Sequence, residues 1–112
     1  MVYSNTKVDR HKQLCMNLNA IYAKKNHDYG DSFHETFIEE GMAMPRIRLN
    51  DKFSRFKKLS KNPNSQQVGD ESIKDTLMDL ANYAIMTILE MEEAENTATA
   101  LPNASTATTV RI

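Results

Sequence analysis

The sequence has no tryptophan and a single cysteine, Cys15. One thiol excludes an internal disulfide framework and any multi-thiolate zinc site, and it points to a cytoplasmic chain. A metal would therefore depend on oxygen ligands or on the three histidines, His11, His27 and His34. Glycine and proline occur three times each, as Gly30, Gly41, Gly69, Pro45, Pro63 and Pro102. That scarcity leaves no Gly-rich phosphate loop. No apolar run approaches the roughly 20 residues of a membrane span. The N-terminus has no apolar signal segment, so neither membrane insertion nor secretion is expected. Neither sign of charge dominates: 14 Lys+Arg face 15 Asp+Glu, for a net charge of -1. A general polyanion binder needs a positive excess, so no stable nucleic-acid complex is expected.

What is present is helical periodicity between the few breakers. The 112 residues suit one domain. A first helix is expected over Thr6 to Lys25, with Val8, Leu14, Cys15, Leu18, Ile21 and Tyr22 as its apolar stripe. A polar connector, His27 to Asp31, precedes a short helix from Ser32 that carries Phe33, Phe37 and Ile38 and ends at Gly41. Pro45 suits the first turn of a helix running to Ser60, with Leu49, Phe53, Phe56 and Leu59 inward. The last helix, Asp70 to Glu93, repeats Ile73, Leu77, Leu80, Ala84, Ile88 and Met91. Residues 96–112, rich in Thr and Ala, read as a disordered tail behind a domain spanning 1–95. The predicted fold is all-α, a small bundle of three long helices and one short one. About 90 ordered residues make a thin core, so completion by homo-oligomerisation, as a dimer or tetramer, is expected.

Charge is segregated by helix. Arg46 to Lys61 holds seven bases and one acid, Asp51, whereas Asp70 to Glu95 holds eight acids and one base, Lys74. At about 100° per residue, Glu71, Asp75, Asp79 and Asn82 fall within roughly 80° of one another. Three acids on one face repel unless a hard cation such as Mg²⁺ compensates. Acids near a helix N-terminus also favour the dipole without any metal, and this accounts for Glu71 better than for Asp79. Arg48, Lys52 and Arg55 share a face of the preceding helix. They suit a triphosphate, or else they pair with the acidic helix or face water. Glu39 and Glu40 end the short helix, as further metal donors or as a solvated end. Tyr29 and Phe33 could stack a base whose edge is read by Asp28 or Asn82, but spacing alone favours Phe33 in the core and His27 in a surface turn. His27 and His34, seven residues apart with no third soft ligand nearby, make a weak zinc pair. Cys15 on its apolar stripe reads as a buried structural thiol.

Three stretches carry a family resemblance. They are Lys25-Asn26-His27-Asp28-Tyr29-Gly30-Asp31-Ser32-Phe33, then Arg48-Leu49-Asn50-Asp51-Lys52-Phe53-Ser54-Arg55-Phe56, then Asp70-Glu71-Ser72-Ile73-Lys74-Asp75-Thr76-Leu77-Met78-Asp79-Leu80-Ala81-Asn82-Tyr83-Ala84. Together, over about residues 7 to 93, they resemble the nucleotide modification associated domain family of small phage and bacterial proteins. That family is similar to the all-α MazG-type nucleoside triphosphate pyrophosphohydrolases. The resemblance implies Mg²⁺-dependent cleavage of a nucleoside triphosphate to monophosphate and pyrophosphate. It implies catalytic and metal roles for Asp75, Asp79 and Glu71, with Glu39 or Glu40 as the nearest counterpart of a second acidic motif. The spacing here is E-x-x-x-D-x-x-x-D, where the wider superfamily has E-x-x-D. That departure leaves open an alternative, a non-catalytic protein that sequesters a nucleotide signal, for example a phage anti-defence factor. A purely structural helical oligomer is the third reading.

Overall fold

The computed structural model describes residues 6–62 and 72–100, without the side chains of Tyr29, Thr99 and Ala100. The described residues form four helices and no strand. The chain divides after Ser32 into two compact units, each described by itself.

The first unit is built on α1 (Lys7–Tyr29). Thr6 caps it: its hydroxyl accepts from the Asp9 N–H at 3.1 Å and donates to the Asp9 carboxylate at 2.8 Å. The helix continues through the expected polar connector, because no breaker intervenes before Gly30. Gly30 ends it at φ 70°, a conformation open to glycine, and its N–H donates to the Asn26 carbonyl. Cys15, expected to be buried, is exposed: among the described residues this unit is the single helix α1, which by itself cannot bury its own apolar stripe. Its Sγ lies 3.8 Å from His11 Nδ1, one turn away.

In the second unit α2 (Ser32–Glu40) leads to Gly41, also at positive φ, whose N–H closes on the Phe37 carbonyl. Helix α3 (Ala43–Lys61) begins before Pro45, and the proline sits in the first turn, where its missing N–H costs no helical bond. Lys58 and Lys61 close α3 at the end where the dipole favours cations. Helix α4 (Ile73–Ala100) opens on a reciprocal cap. The Asp75 N–H donates to Ser72 Oγ at 3.0 Å, and the Ser72 N–H donates to the Asp75 carboxylate at 3.2 Å. The helix runs on through 96–100, residues expected to lie in the tail. Thr97 bonds its hydroxyl to the Glu93 carbonyl, and extending a formed helix adds one bond per residue without a new nucleus. The remainder of the expected tail, and Glu71, lie outside the described residues.

Helices α3 and α4 pack on each other. Pro45, Leu49, Lys52, Phe56 and Leu59 are buried or half-buried along α3. Ile73, Thr76, Leu80, Tyr83, Thr87 and Glu90 are likewise along α4. Both sets advance in alternating three- and four-residue steps, the register of a knobs-into-holes seam. The α4 seam is more polar than the periodicity predicts. Thr76 and Thr87 are buried because each hydroxyl bonds its own helix, to the Ser72 carbonyl at 3.1 Å and the Tyr83 carbonyl at 2.7 Å. The threonine's polar group is thus satisfied within α4, and its burial carries no orphaned donor. Of the expected α4 stripe, Leu77 and Ala84 are exposed, and Ile73, Leu80, Ile88 and Met91 are half-buried. Among the described residues, the buried apolar side chains are Met44, Pro45 and Leu59, all on α3.

Candidate functional site

The α3–α4 face brings the two opposed charge sets together at one place. Lys52 Nζ lies 3.0 Å from the Asp79 carboxylate, with both side chains about three-quarters buried. The sequence places Lys52 in the middle of its basic face and Asp79 well inside the next helix, and the packing of the two helices decides that they meet. Partial burial leaves this contact less screened than a fully exposed pair. Arg55 lies one turn along α3 from Lys52, half-buried with its Nε out of solvent. Arg48, one turn the other way, is exposed.

Asp75 serves as the third residue of the α4 cap, its carboxylate engaged by the Ser72 N–H. It is exposed. The helix-terminus account of this acid therefore has direct geometry behind it. Glu39 and Glu40 are exposed at the end of α2. Among the described residues, Asp75, Asp79, Glu39 and Glu40 do not converge into a group of three metal donors. Glu71, the fifth expected donor, lies outside the described residues.

The aromatic candidates are divided. Phe33 stacks on Tyr83 of α4, ring centroids 6.0 Å apart and planes 21° from parallel. Offset stacking of this kind orients both rings and ties α2 to α4. Asn82 is half-buried beside Tyr83 in the chain. Asp28 belongs to α1 and is exposed, its carboxylate 3.3 Å from His27 Nδ1. The Tyr29 side chain lies outside the described residues.

A second charged group escaped the sequence reading. His34 Nδ1 lies 2.6 Å from Glu90 Oε1, a contact between α2 and α4. Glu93 stands one turn beyond Glu90, and the three side chains offer donor atoms within 4.8 Å of one another. The available signal was the Glu90-x-x-Glu93 spacing, which puts both carboxylates on one helix face. The partner, 56 residues earlier, has no periodic relation to that pair.

The family model described as nucleotide modification associated domain 1 matches residues 25–91, from the last turn and a half of α1 through most of α4. No curated protein and no solved structure matches the chain. No helix among the described residues is long and apolar enough to cross a membrane. With more than half its length matched, including all of α2 and α3, the chain belongs to the nucleotide modification associated domain 1 family.

Proposed function

We propose that this chain binds a nucleotide, taking its phosphates on the α3–α4 face with Arg48, Lys52 and Arg55. The observation that carries the reading is the Lys52–Asp79 pair. In the free protein each charge neutralises the other, so neither is buried alone. A phosphate arriving at Lys52 would find a cation already positioned, and the guanidinium of Arg48 or Arg55 adds bidentate contacts. Phe33, already oriented by Tyr83, offers its other face to a base, and Asn82 an amide to the base edge. The family's description as nucleotide modification associated agrees with this ligand class.

Hydrolysis of a nucleoside triphosphate to monophosphate and pyrophosphate is the second reading. It is favoured by the spacing of Asp75 and Asp79, one turn apart on α4 beside the bases. Mg²⁺, where bound, would supply charge neutralisation at the phosphates. The engagement of Asp75 in the cap and Asp79 with Lys52 supports retention of an intact ligand instead. Exposed Leu77, Ile85 and Leu89, spaced along one stripe of α4, support association with further copies.

The test is incubation of the full chain with normal and modified nucleoside triphosphates, with and without Mg²⁺, followed by denaturation. Recovery of intact nucleotide in proportion to protein supports binding alone, and multiple-turnover release of pyrophosphate establishes hydrolysis. Failure to bind any nucleotide defeats both. Arg48→Ala, at an exposed position, should weaken binding about tenfold, the equivalent of one charge-assisted hydrogen bond.

A further inference from the structure

We propose that His34, Glu90 and Glu93 form a binding site for a divalent transition metal that clamps α2 to α4. The site is independent of the nucleotide reading: Glu90 lies eleven residues beyond Asp79, roughly 16 Å along the helix axis. The donor set is one imidazole and two carboxylates, with their ligand atoms within 4.8 Å of one another. Imidazole in the set selects Zn²⁺ and its first-row neighbours over Mg²⁺, which takes oxygen ligands and keeps its water.

Burial and charge both bear on this choice. The Glu90 side chain is 9% exposed, and that of His34 is 30% exposed. A carboxylate removed that far from water needs a cation or strong donors. The imidazole supplies one contact to it, at 2.6 Å. Helical spacing then brings Glu93, a second carboxylate, to the same place. With neutral imidazole the trio carries two negative charges, and with imidazolium it retains one. A divalent ion brings it to zero. An ion at about 2.1 Å from each ligand in tetrahedral geometry sets the ligands about 3.4 Å apart, so His34 Nδ1 and Glu90 Oε1 would part by about 0.8 Å from their present contact. Three protein ligands would leave coordination positions for water. Filling the site would fasten α2, which is otherwise held to α4 by the Phe33–Tyr83 stack.

The test is calorimetric titration of Zn²⁺ into the full chain without nucleotide. It uses a His11→Ala, Cys15→Ser background, which removes the imidazole–thiol pair of α1 as a competing Zn²⁺ ligand set. One Zn²⁺ per chain is expected, with a higher melting temperature and no displacement by excess Mg²⁺. Glu93→Gln alters an exposed side chain and should weaken Zn²⁺ at least tenfold while helical circular dichroism is retained. His34→Asn should abolish the site. Absence of Zn²⁺ binding, or unchanged affinity in Glu93→Gln, overturns the proposal. Because Glu93→Gln alone decides between these outcomes, a folding defect in His34→Asn does not blunt the test.

Discussion

The two halves of α4 solve the same electrostatic problem differently. Near its start, Asp79 meets Lys52 of α3, and both side chains keep about a quarter of their surface in water. Farther along, Glu90 meets His34 of α2 with less than a tenth of its side chain exposed. The first carboxylate has a permanently charged partner on a long, flexible stem. The second has a compact, titratable partner that is also a good metal ligand. The difference teaches that acidic helices cannot be read from carboxylate spacing alone. Asp75 and Asp79 look like a metal pair in the sequence, yet they are engaged by a helix cap and a lysine. Glu90 and Glu93 carry no sequence signal beyond their spacing, yet they converge on an imidazole.

The contrast breaks most sharply if α3 is loosened. Leu59→Ala truncates a buried hydrophobic side chain of the α3–α4 seam and should cost about 2–5 kcal/mol in urea unfolding. In native-state hydrogen exchange, amides around Asp79 should then lose protection before those around Glu90, whose contact runs to α2. Uniform loss would mean that α4 responds as one unit. The next largest effect is expected at the second carboxylate. Glu90→Gln removes the charge from the His34 contact and should destabilise by about 1–3 kcal/mol, measured by thermal melting without added metal.

Ser72→Ala should cost about 1 kcal/mol, because it removes the hydroxyl that accepts from the Asp75 N–H. The cost should appear as fraying of the first turn of α4, followed by amide exchange from Lys74 to Leu77. The smallest effect sharpens the comparison most finely. A double-mutant cycle of Lys52→Met and Asp79→Asn should give a coupling of about 0.5–1 kcal/mol, reduced by salt because the pair is partly solvated. A coupling larger than the Glu90→Gln effect would reverse the ranking of the two halves.

Much of this was legible from local rules. The helix order follows from apolar periodicity and the positions of Gly30, Gly41 and Pro45, because caps and breakers act within a few residues. Boundaries shifted where local strength ran past an expected stop: α1 reached Tyr29, and α4 reached Ala100. The core was less legible. Leu77 and Ala84 were assigned inward by hydrophobicity, but Thr76 and Thr87 occupy the seam. A threonine that bonds its own helix carries its polarity inward at little cost, and a hydropathy pattern does not register this.

The sequence by itself determined an all-helical chain, the separation of bases on α3 from acids on α4, and membership of a nucleotide modification associated family. Those properties are written in residues a few positions apart. Only the tertiary structure decided which acid meets which partner. Lys52 and Asp79 are 27 positions apart, and His34 and Glu90 are 56. No periodicity spans such distances; the pairs exist because packing of whole helices sets the rotation and register at which their side chains meet.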